Sequence, residues 1–253
     1  MKGVVRSRYG GVRQIVRFNW PYYAAATAAT AAASALLILV PLPAPWPSLA
    51  LAALLLANAW LVLSLAVSHW IYDRSSVSRG EWLRGIAAPR IAVCHFGQDE
   101  VSAHVARWLP TAAVQVFDLY DGALGTPSLR RARALAAPAP GTRTAPLDAI
   151  PLGSASQDLA VLAFAAHEVR DHATRVRLCT ELTRCLAPGG MLLVVEHLRD
   201  APNLLAYGPG GFHFLSRRTW LRTFAAAGLA VVGETSFTPW VRRFELQRRA
   251  PRT

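Results

Sequence analysis

Two long apolar stretches near the start of the chain dominate its hydrophobic pattern. Residues 20–40 contain no charged side chain, and neither do residues 48–70. Each stretch is long enough to cross about 30 Å of hydrocarbon as a helix that rises about 1.5 Å per residue. The four prolines of residues 41–47 cannot continue a helix and predict a tight turn. The pattern therefore predicts a hairpin of two transmembrane helices over residues 20–72.

Aromatic and basic residues flank the two stretches in a way that predicts their orientation. Aromatic rings favour the lipid head-group region, and they lie at the ends of the stretches: Trp20, Tyr22, Tyr23, Trp46, Trp70 and Tyr72. Basic residues precede the first stretch and follow the second: Lys2, Arg6, Arg8, Arg13, Arg17, Arg74, Arg79, Arg84 and Arg90. Because basic flanks stay on the cytoplasmic side, we expect a two-pass protein of the bacterial inner membrane with both termini in the cytoplasm.

A cleaved signal peptide is the alternative interpretation of the first stretch. A basic start, an apolar segment and the sequence Ala33-Ser34-Ala35 imitate its three regions. That interpretation leaves the second stretch unexplained, so the hairpin is preferred. Small residues on one face of the first stretch would allow close packing against the second stretch or against another copy of the chain: Ala24, Ala28, Ala32 and Ala35. The sequence therefore leaves open whether the chain forms a homo-oligomer through the hairpin.

After residue 90 the pattern changes to alternating strand-like and helix-like segments. Strands are predicted at residues 90–96, 113–119, 158–164, 191–196, 231–237 and 244–247, and helices at residues 99–108, 128–136, 174–186 and 217–227. This alternation is typical of a Rossmann-like, doubly wound, mostly parallel α/β sheet, here closed by an antiparallel C-terminal pair. Ser216 is expected to cap the last helix, and Gly228 to end it.

The same pattern divides the chain into four parts. Residues 1–19 are predicted as a basic cytoplasmic N-terminus and residues 20–72 as the hairpin. Residues 73–89 are predicted as an amphipathic connector, and residues 90–253 as the α/β domain.

Charge and cysteine content narrow the function only slightly. Lys and Arg outnumber Asp and Glu by 27 to 15, but they occur singly or as Arg pairs, so nucleic-acid binding is not predicted. Beside two apolar stretches the net charge of +12 favours attraction to acidic lipid head groups. Cys94, Cys179 and Cys185 form no CxxC pair, and we expect three buried thiols in a reducing compartment.

Several segments of the α/β domain match a known family in their order and spacing. Residues 182–197 (LTRCLAPGGMLLVVEH) and residues 214–232 (FLSRRTWLRTFAAAGLAVV) resemble two late helix-to-strand passages of class I S-adenosylmethionine-dependent methyltransferases. Residues 116–121 (VFDLYD) resemble the family's second strand, and residues 146–169 resemble its passage beside the adenine. The resemblance implies a Rossmann-like fold and S-adenosyl-L-methionine as the cofactor.

The resemblance also implies a set of cofactor-binding residues: His95, Gly97, Gln98, Asp118, Leu119, Asp148, Ala149 and Ala165. In the family, an acid at the position of Asp118 binds the ribose, and a carboxylate can accept from both ribose hydroxyls. An acid at the position of Asp148 lies beside the adenine.

The glycine loop departs from the family pattern of an acid followed by G-x-G-x-G. In the sequence HFGQDEV, Gly97 matches the first glycine, His95 replaces the acid, and Asp99 and Val101 replace the next two glycines. Those glycines permit close approach of the backbone to the cofactor. A catalytically inactive, methyltransferase-like membrane scaffold or partner-binding module is therefore the alternative. A side chain that fills the adenosine position would favour it.

Four short motifs also resemble a bacterial membrane subgroup of methyltransferase-like proteins with two N-terminal spans. They are YDRS at residues 72–75, GQDE at 97–100, AHEVRD at 166–171 and EHLRD at 196–200. In that subgroup the altered glycine loop belongs to the pattern. The resemblance implies the reaction class, but it does not identify the substrate.

Two His/Glu pairs follow predicted strands: His167 with Glu168, and Glu196 with His197. Ligands of open α/β sheets bind at the carboxyl ends of strands, so we predict these four residues as catalytic. Histidine, with a pKa of about 6.5, suits removal of a proton from a methyl acceptor, and a structural ion pair is the alternative for the glutamates. The spacing matches no recognised ligand pattern, so no metal is predicted.

The segment after the second pair carries the predicted acceptor-binding residues: Arg199, Asn203, Tyr207, Phe212 and His213. In methyltransferases this region often forms part of the acceptor pocket, and a packed loop is the alternative. Its aromatic content suits an apolar acceptor. The sequence thus predicts an S-adenosylmethionine-dependent methyltransferase that acts on a membrane-associated, lipidic or apolar small molecule.

Overall fold

The computed structural model describes residues 8–99, 101–122, 126–135 and 138–249. Lys2 and Arg6 of the predicted basic N-terminus, Glu100 of the GQDE motif and Ala136 of a predicted helix lie outside the described residues.

Two long helices open the described part of the chain. Helix α1 spans Gly10–Leu39 and helix α2 spans Trp46–His69, which continues into one π-helical turn, Trp70–Arg74. By length and composition, both helices are apolar enough to cross a membrane. The predicted helical hairpin is confirmed, and α1 begins well before the apolar stretch that predicted it.

A side chain from the end of α2 caps the start of α1. The Asp73 carboxylate accepts hydrogen bonds from the backbone N–H groups of Gly11 (2.6 Å) and Val12 (3.0 Å). His69 Nδ1 lies 2.9 Å from the same carboxylate. The first N–H groups of a helix have no partner within it, and its positive end attracts a carboxylate. The cap therefore joins the two ends of the hairpin.

The rest of the chain forms a seven-stranded sheet with helices between the strands. The strands are β1 (Arg90–His95), β2 (Ala113–Asp118), β3 (Arg143–Thr144), β4 (Gln157–Ala163), β5 (Leu186–His197), β6 (Leu229–Thr238) and β7 (Val241–Arg248). The helices are α3 (Ser102–Trp108), α4 (Pro127–Leu135), α5 (His172–Cys185), α6 (Ala201–Tyr207) and α7 (Arg217–Ala226). Short 3₁₀ turns span Glu81–Leu83, Ala166–Glu168 and Gly208–His213.

The strand order is β3-β2-β1-β4-β5-β7-β6. The first five strands in this order pair in parallel, and β7 is antiparallel to both β5 and β6. The predicted Rossmann-like sheet with an antiparallel closing pair is confirmed. Ser216 accepts from the N–H of Thr219 and caps α7, as predicted.

Several local predictions differ from the structure. Helix α3 begins at Ser102 and not at residue 99, because the Asp99 side chain accepts from the N–H groups of Val101 and Ser102. Pro188, Gly189 and Gly190 lie within β5 as a bulge, since Gln157 pairs with Leu186 whereas Leu159 pairs with Met191, so β5 begins before the predicted strand at residue 191. Strand β3 and helix α6 form where no regular element was predicted.

Both faces of the sheet are buried, and successive residues of β1 alternate between them. Ala92 and Cys94 face one core, while Ile91 and Val93 face the other. The second core is completed by the predicted connector, whose Trp82 is almost fully buried. Residues 73–89 are therefore part of the domain's core. The three cysteines are free and buried, as predicted.

We expect Asp73→Ala to destabilise the protein. The substitution leaves the first N–H groups of α1 without their acceptor, and loss of a helix cap costs about 0.5–2 kcal/mol. Thermal unfolding of the detergent-purified protein, followed by circular dichroism, should show a lower midpoint. Glu81→Ala, which removes an exposed ion pair with Arg79, should leave the midpoint unchanged. Equal midpoints for Asp73→Ala and the parent protein would contradict the capping role.

Candidate functional site

Several of the predicted site residues lie at one edge of the sheet. Strands β1, β2, β4 and β5 are parallel, so their carboxyl ends lie together. From β1 the chain adds strands toward one side of the sheet, and from β4 it adds them toward the other, so the strand order reverses between β1 and β4. Ligands of α/β sheets bind at such switch points. His95 ends β1, Asp118 ends β2, and Glu196 and His197 end β5.

Asp118 is fully buried, and its carboxylate is engaged on both sides. One oxygen accepts from the N–H groups of Gly97 (2.8 Å) and Tyr120 (3.0 Å), and the other accepts from the Arg133 guanidinium. The φ of Gly97 is +79°, a value that residues with a side chain rarely adopt. A Cβ added there would lie 3.7 Å from the Arg133 side chain. Arg133 therefore covers the junction of the glycine loop and β2.

An open cavity of about 590 Å³ lies beside Asp118. Its lining comes from residues 119–122 and 144–148, together with Thr174 and Arg177. Among the predicted cofactor-binding residues, Leu119 and Asp148 belong to this lining. The Asp148 carboxylate is half exposed and lies 3.4 Å from Arg177 Nε, whereas Ala149 is exposed. The cavity is thus lined by both apolar and polar side chains, among them the Asp148 carboxylate.

His95 is buried, and neither of its ring nitrogens has a hydrogen-bond partner among the described residues. Its Nδ1 lies 3.8 Å from Asp118 Oδ1, which is too long for a hydrogen bond. Burial lowers the pKa of His95, although Asp99 and Asp118 act in the opposite direction. Buried polar groups without a partner are uncommon in folded proteins, so His95 is a candidate functional residue. The half-buried Gln98 follows on the same loop.

Glu196 holds His167 in one orientation. Its Oε2 lies 2.7 Å from His167 Nδ1, and its Oε1 accepts from the N–H groups of Ala165 (3.1 Å) and His167 (3.3 Å). Because a carboxylate accepts, Nδ1 carries the proton, and Nε2 is left available. Burial acts to lower the pKa of His167, but the charges of Glu196 and Glu168 outweigh it, so the pKa is raised.

Glu168 and His213 complete a cluster with His167. Glu168 Oε1 lies 3.6 Å from His167 Nε2 and 3.7 Å from His213 Nε2. Burial acts to raise the pKa of Glu168, but the hydrogen bond and charge of His213 and the charge of His167 lower it overall. Of the predicted acceptor-binding residues, His213 therefore joins the predicted catalytic residues.

His197 has a different environment from His167. Its Nδ1 donates to the Trp240 carbonyl oxygen (2.9 Å), and its Nε2 accepts from the Tyr72 hydroxyl at 2.7 Å. Burial lowers its pKa to about 4, so the ring is neutral at pH 7. With both nitrogens engaged, His197 is arranged to position Tyr72.

Sequence reasoning missed the contribution of Tyr72, which it assigned to a membrane interface. Its ring contacts Phe164 and His197, between the end of α2 and the carboxyl ends of β4 and β5. Phe164 has a φ of +52°, a strained value for a residue with a side chain, and such strain is concentrated at functional sites. Phe214 stacks on His197 with ring centroids 4.8 Å apart. The YDRS motif was the available signal for Tyr72.

The remaining predicted acceptor-binding residues divide between the site and its surroundings. Tyr207 contacts His197 and Phe214. Asn203 is buried and donates to Asp200 and to the Trp240 carbonyl oxygen, so it braces His197. Arg199 and Phe212 are exposed.

The segment that carries Tyr207 and His213 packs on α2. Trp60 Nε1 donates to the Leu205 carbonyl oxygen at 2.7 Å. Gly208 has a φ of +54°, and a Cβ added there would lie 3.1 Å from the Trp60 ring. Trp60 is near the middle of α2. Leu205 and Phe212 are 71% and 62% exposed on the outside of this segment.

Comparison with known proteins agrees with this geometry. A family model described as a methyltransferase domain matches residues 97–194. Among curated proteins, none matches the sequence.

Three solved structures share the fold. The mitomycin 7-O-methyltransferase MmcR has 17% identity and a TM-score of 0.54, over 97% of this chain and 74% of its own. The pyocyanin biosynthetic protein PhzM has 17% identity and a TM-score of 0.52, over 70% of this chain, which spans 56% of that protein. An O-methyltransferase family 2 protein from Planctomyces limnophilus DSM 3776, in complex with apigenin, has 14% identity and a TM-score of 0.50, over 76% and 61% of the two chains.

At 14–17% identity the structural similarity supports only a shared fold. The family model identifies the matched residues as a methyltransferase domain. The strand order of the sheet agrees with both. The match supports assignment of this domain to the class I methyltransferase family, with S-adenosylmethionine as the cofactor.

Proposed function

We propose that the protein transfers the methyl group of S-adenosylmethionine to a membrane-associated, lipidic or apolar small molecule at the cytoplasmic face of the bacterial inner membrane. The observation that carries the acceptor class is the contact between the acceptor-side segment, residues 201–213, and the middle of α2. Trp60 holds this segment through Leu205 and Gly208.

The depth of this contact supports a lipidic acceptor. Ten residues separate Trp60 from Trp70, which corresponds to about 15 Å along a helix. If α2 crosses the bilayer, the acceptor-side segment lies beside hydrocarbon and not in bulk water. The segment has no Lys, Arg, Asp or Glu between Asp200 and Arg217, which suits that environment. An apolar acceptor would reach the site without leaving the membrane.

The residues at the carboxyl edge fit the cofactor. Asp118 would hold the ribose, the cavity lined by Leu119 and Asp148 would take the adenine, and His95 offers unpaired ring nitrogens beside the glycine loop. When bound, S-adenosylmethionine supplies an electrophilic methyl group. Arg133 would have to leave Asp118, because it occupies the carboxylate oxygen that a ribose hydroxyl needs.

The protein's own groups align the acceptor and receive its proton. Glu196 fixes the ring of His167 so that Nε2 faces Glu168 and His213. Tyr72, Phe164 and Phe214 surround His197 with aromatic surface, which excludes water from the acceptor side. Alignment of this kind supplies most of the help that a methyl displacement needs.

We expect the replacement of Arg133 by a ribose hydroxyl at Asp118 to be measurable as a change in cofactor affinity. Arg133→Met removes the competing guanidinium, and a hydrogen bond to a charged group contributes about 1.5–3 kcal/mol, so S-adenosylhomocysteine should bind about 10- to 150-fold more tightly. Asp118→Ala should abolish binding. Arg130→Met, an exposed arginine on the same helix, is the matched control and should leave binding unchanged. Calorimetry on the full-length protein in detergent measures all three, and weaker binding by Arg133→Met would contradict the exchange.

The position of Arg133 is also the one observation that favours the scaffold alternative, because it covers part of the cofactor site. The same titrations decide between the two functions. If neither the parent protein nor Arg133→Met binds S-adenosylmethionine at millimolar concentration while both remain folded, the domain is a membrane scaffold.

The acceptor class is tested with methyl-labelled S-adenosylmethionine and membranes that contain the full-length protein. We expect label in the organic phase of a lipid extract, and none with Asp118→Ala. Label confined to water-soluble products would contradict a lipidic acceptor.

The lipid contact itself can be tested by labelling. A fluorophore that brightens in apolar surroundings, attached at Leu205→Cys or Phe212→Cys, should report a lipid environment in nanodiscs, since both side chains are exposed beside α2. Ser154→Cys, at the opposite edge of the sheet, is the control and should report water. Equal accessibility of the three labels to a water-soluble quencher would contradict the proposed depth.

A further inference from the structure

Three potential metal ligands converge at the carboxyl edge of the sheet. His167 Nε2, Glu168 Oε1 and His213 Nε2 all lie within 4.8 Å of one another. Two of the separations are shorter, 3.6 Å and 3.7 Å, both to the glutamate oxygen. Ligands bound at about 2.1 Å to one tetrahedral ion are about 3.4 Å apart. Side-chain movements on the order of 1 Å would therefore close the cluster on an ion.

The surroundings of His167 match those of a ligating histidine. Its Nδ1 is held by Glu196 at 2.7 Å, so its proton is on the side away from Glu168 and His213. Metal-bound histidines usually donate their second N–H to a carboxylate or a carbonyl oxygen, which fixes the ring and the tautomer. The Glu196 carboxylate is fully buried and is itself held by the N–H groups of Ala165 and His167. The orientation of Nε2 is thus set before any ligand arrives.

The charges around the cluster also favour a cation. Glu168 and Glu196 contribute two carboxylates beside His167. Arg170 is the neighbouring cation, and its guanidinium donates to the carbonyl oxygens of His167 and His213 rather than to a carboxylate. Neither carboxylate is therefore neutralised by an ion pair with Arg170.

We propose that His167, Glu168 and His213 bind a divalent transition-metal ion, with Glu196 holding His167 in the ligating tautomer. Two imidazoles and one carboxylate are ligands that zinc, iron, cobalt and nickel accept, and three protein ligands leave positions open. An acceptor hydroxyl bound at an open position would lose its proton more readily, since a bound cation lowers the pKa of a coordinated hydroxyl, and the proton would pass to solvent because His167 Nε2 is then bound to the ion. This last role depends on the proposed methyl transfer, whereas metal binding does not.

The test uses the full-length protein in detergent, stripped with a chelator and titrated with Zn²⁺ by calorimetry and with Co²⁺ by visible absorption. We expect one ion per chain and Co²⁺ bands typical of nitrogen and oxygen ligands. His213→Gln and Glu168→Gln should weaken binding by at least 10–100-fold, the loss typical even of residues that support a metal ligand. His172→Gln removes an exposed histidine at the start of α5 and should bind like the parent protein.

Two outcomes would overturn the site. One is the absence of Zn²⁺ binding by the parent protein. The other is binding that His213→Gln and Glu168→Gln leave unchanged or that His172→Gln reduces equally. Titration of S-adenosylhomocysteine into the same samples separates this inference from the proposed function. Cofactor binding without Zn²⁺ binding refutes the metal site alone, and Zn²⁺ binding without cofactor binding refutes the methyltransferase alone.

Discussion

Parallel pairing of four neighbouring strands brings the carboxyl ends of β1, β2, β4 and β5 to one edge of the sheet, and every candidate functional group depends on that convergence. His95, Asp118 and Glu196 each stand at or beside the end of a strand. They are far apart in sequence, but parallel strands lie about 4.8 Å apart, so the three strand steps from β2 to β5 bring all of them within about 15 Å along this edge. The reversal of winding between β1 and β4 then opens the space that a ligand needs.

Two buried carboxylates organise this edge. Asp118 and Glu196 are both fully buried, and an ionised carboxylate in that position is stable only when surrounding groups donate to it. The glycine loop supplies donors to Asp118, and the turn after β4 supplies donors to Glu196. The conformations of both loops therefore follow from the need to satisfy these charges. The same requirement orients His167 and recruits Arg133.

The end of α2 belongs both to the hairpin and to the site. Asp73 caps α1, while the neighbouring Tyr72 donates to His197. Farther up the helix, Trp60 holds the segment that carries Tyr207 and His213. Residues 73–89 then pack beneath the sheet as part of its second core. The hairpin is thus continuous with the domain, and the segment that carries Tyr207 and His213 packs against it.

Much of this architecture follows from local patterns. The apolar stretches determine two long helices, because helix length and apolar composition are properties of one segment. The alternation after residue 90 determines the order of strands and helices, and the residues that end strands can be assigned to the functional edge. Ser216 and Gly228 delimit α7 for the same reason, since caps act within a few residues. Asp118, His167 and Glu196 were accessible to sequence reasoning on these grounds.

Only the tertiary structure decided which side chains meet. The contacts of Arg133 with Asp118, of His213 with Glu168, and of Tyr72 with His197 join segments whose separation in the chain carries no periodic signal. The same holds for residues 73–89, whose apolar side chains are compatible with a connector but are buried by the face of a sheet formed later in the chain. Sequence patterns determine the elements, because hydrogen bonding and amphipathic periodicity are local. Packing between distant elements determines the site, because it depends on the shape and charge of surfaces that exist only after folding.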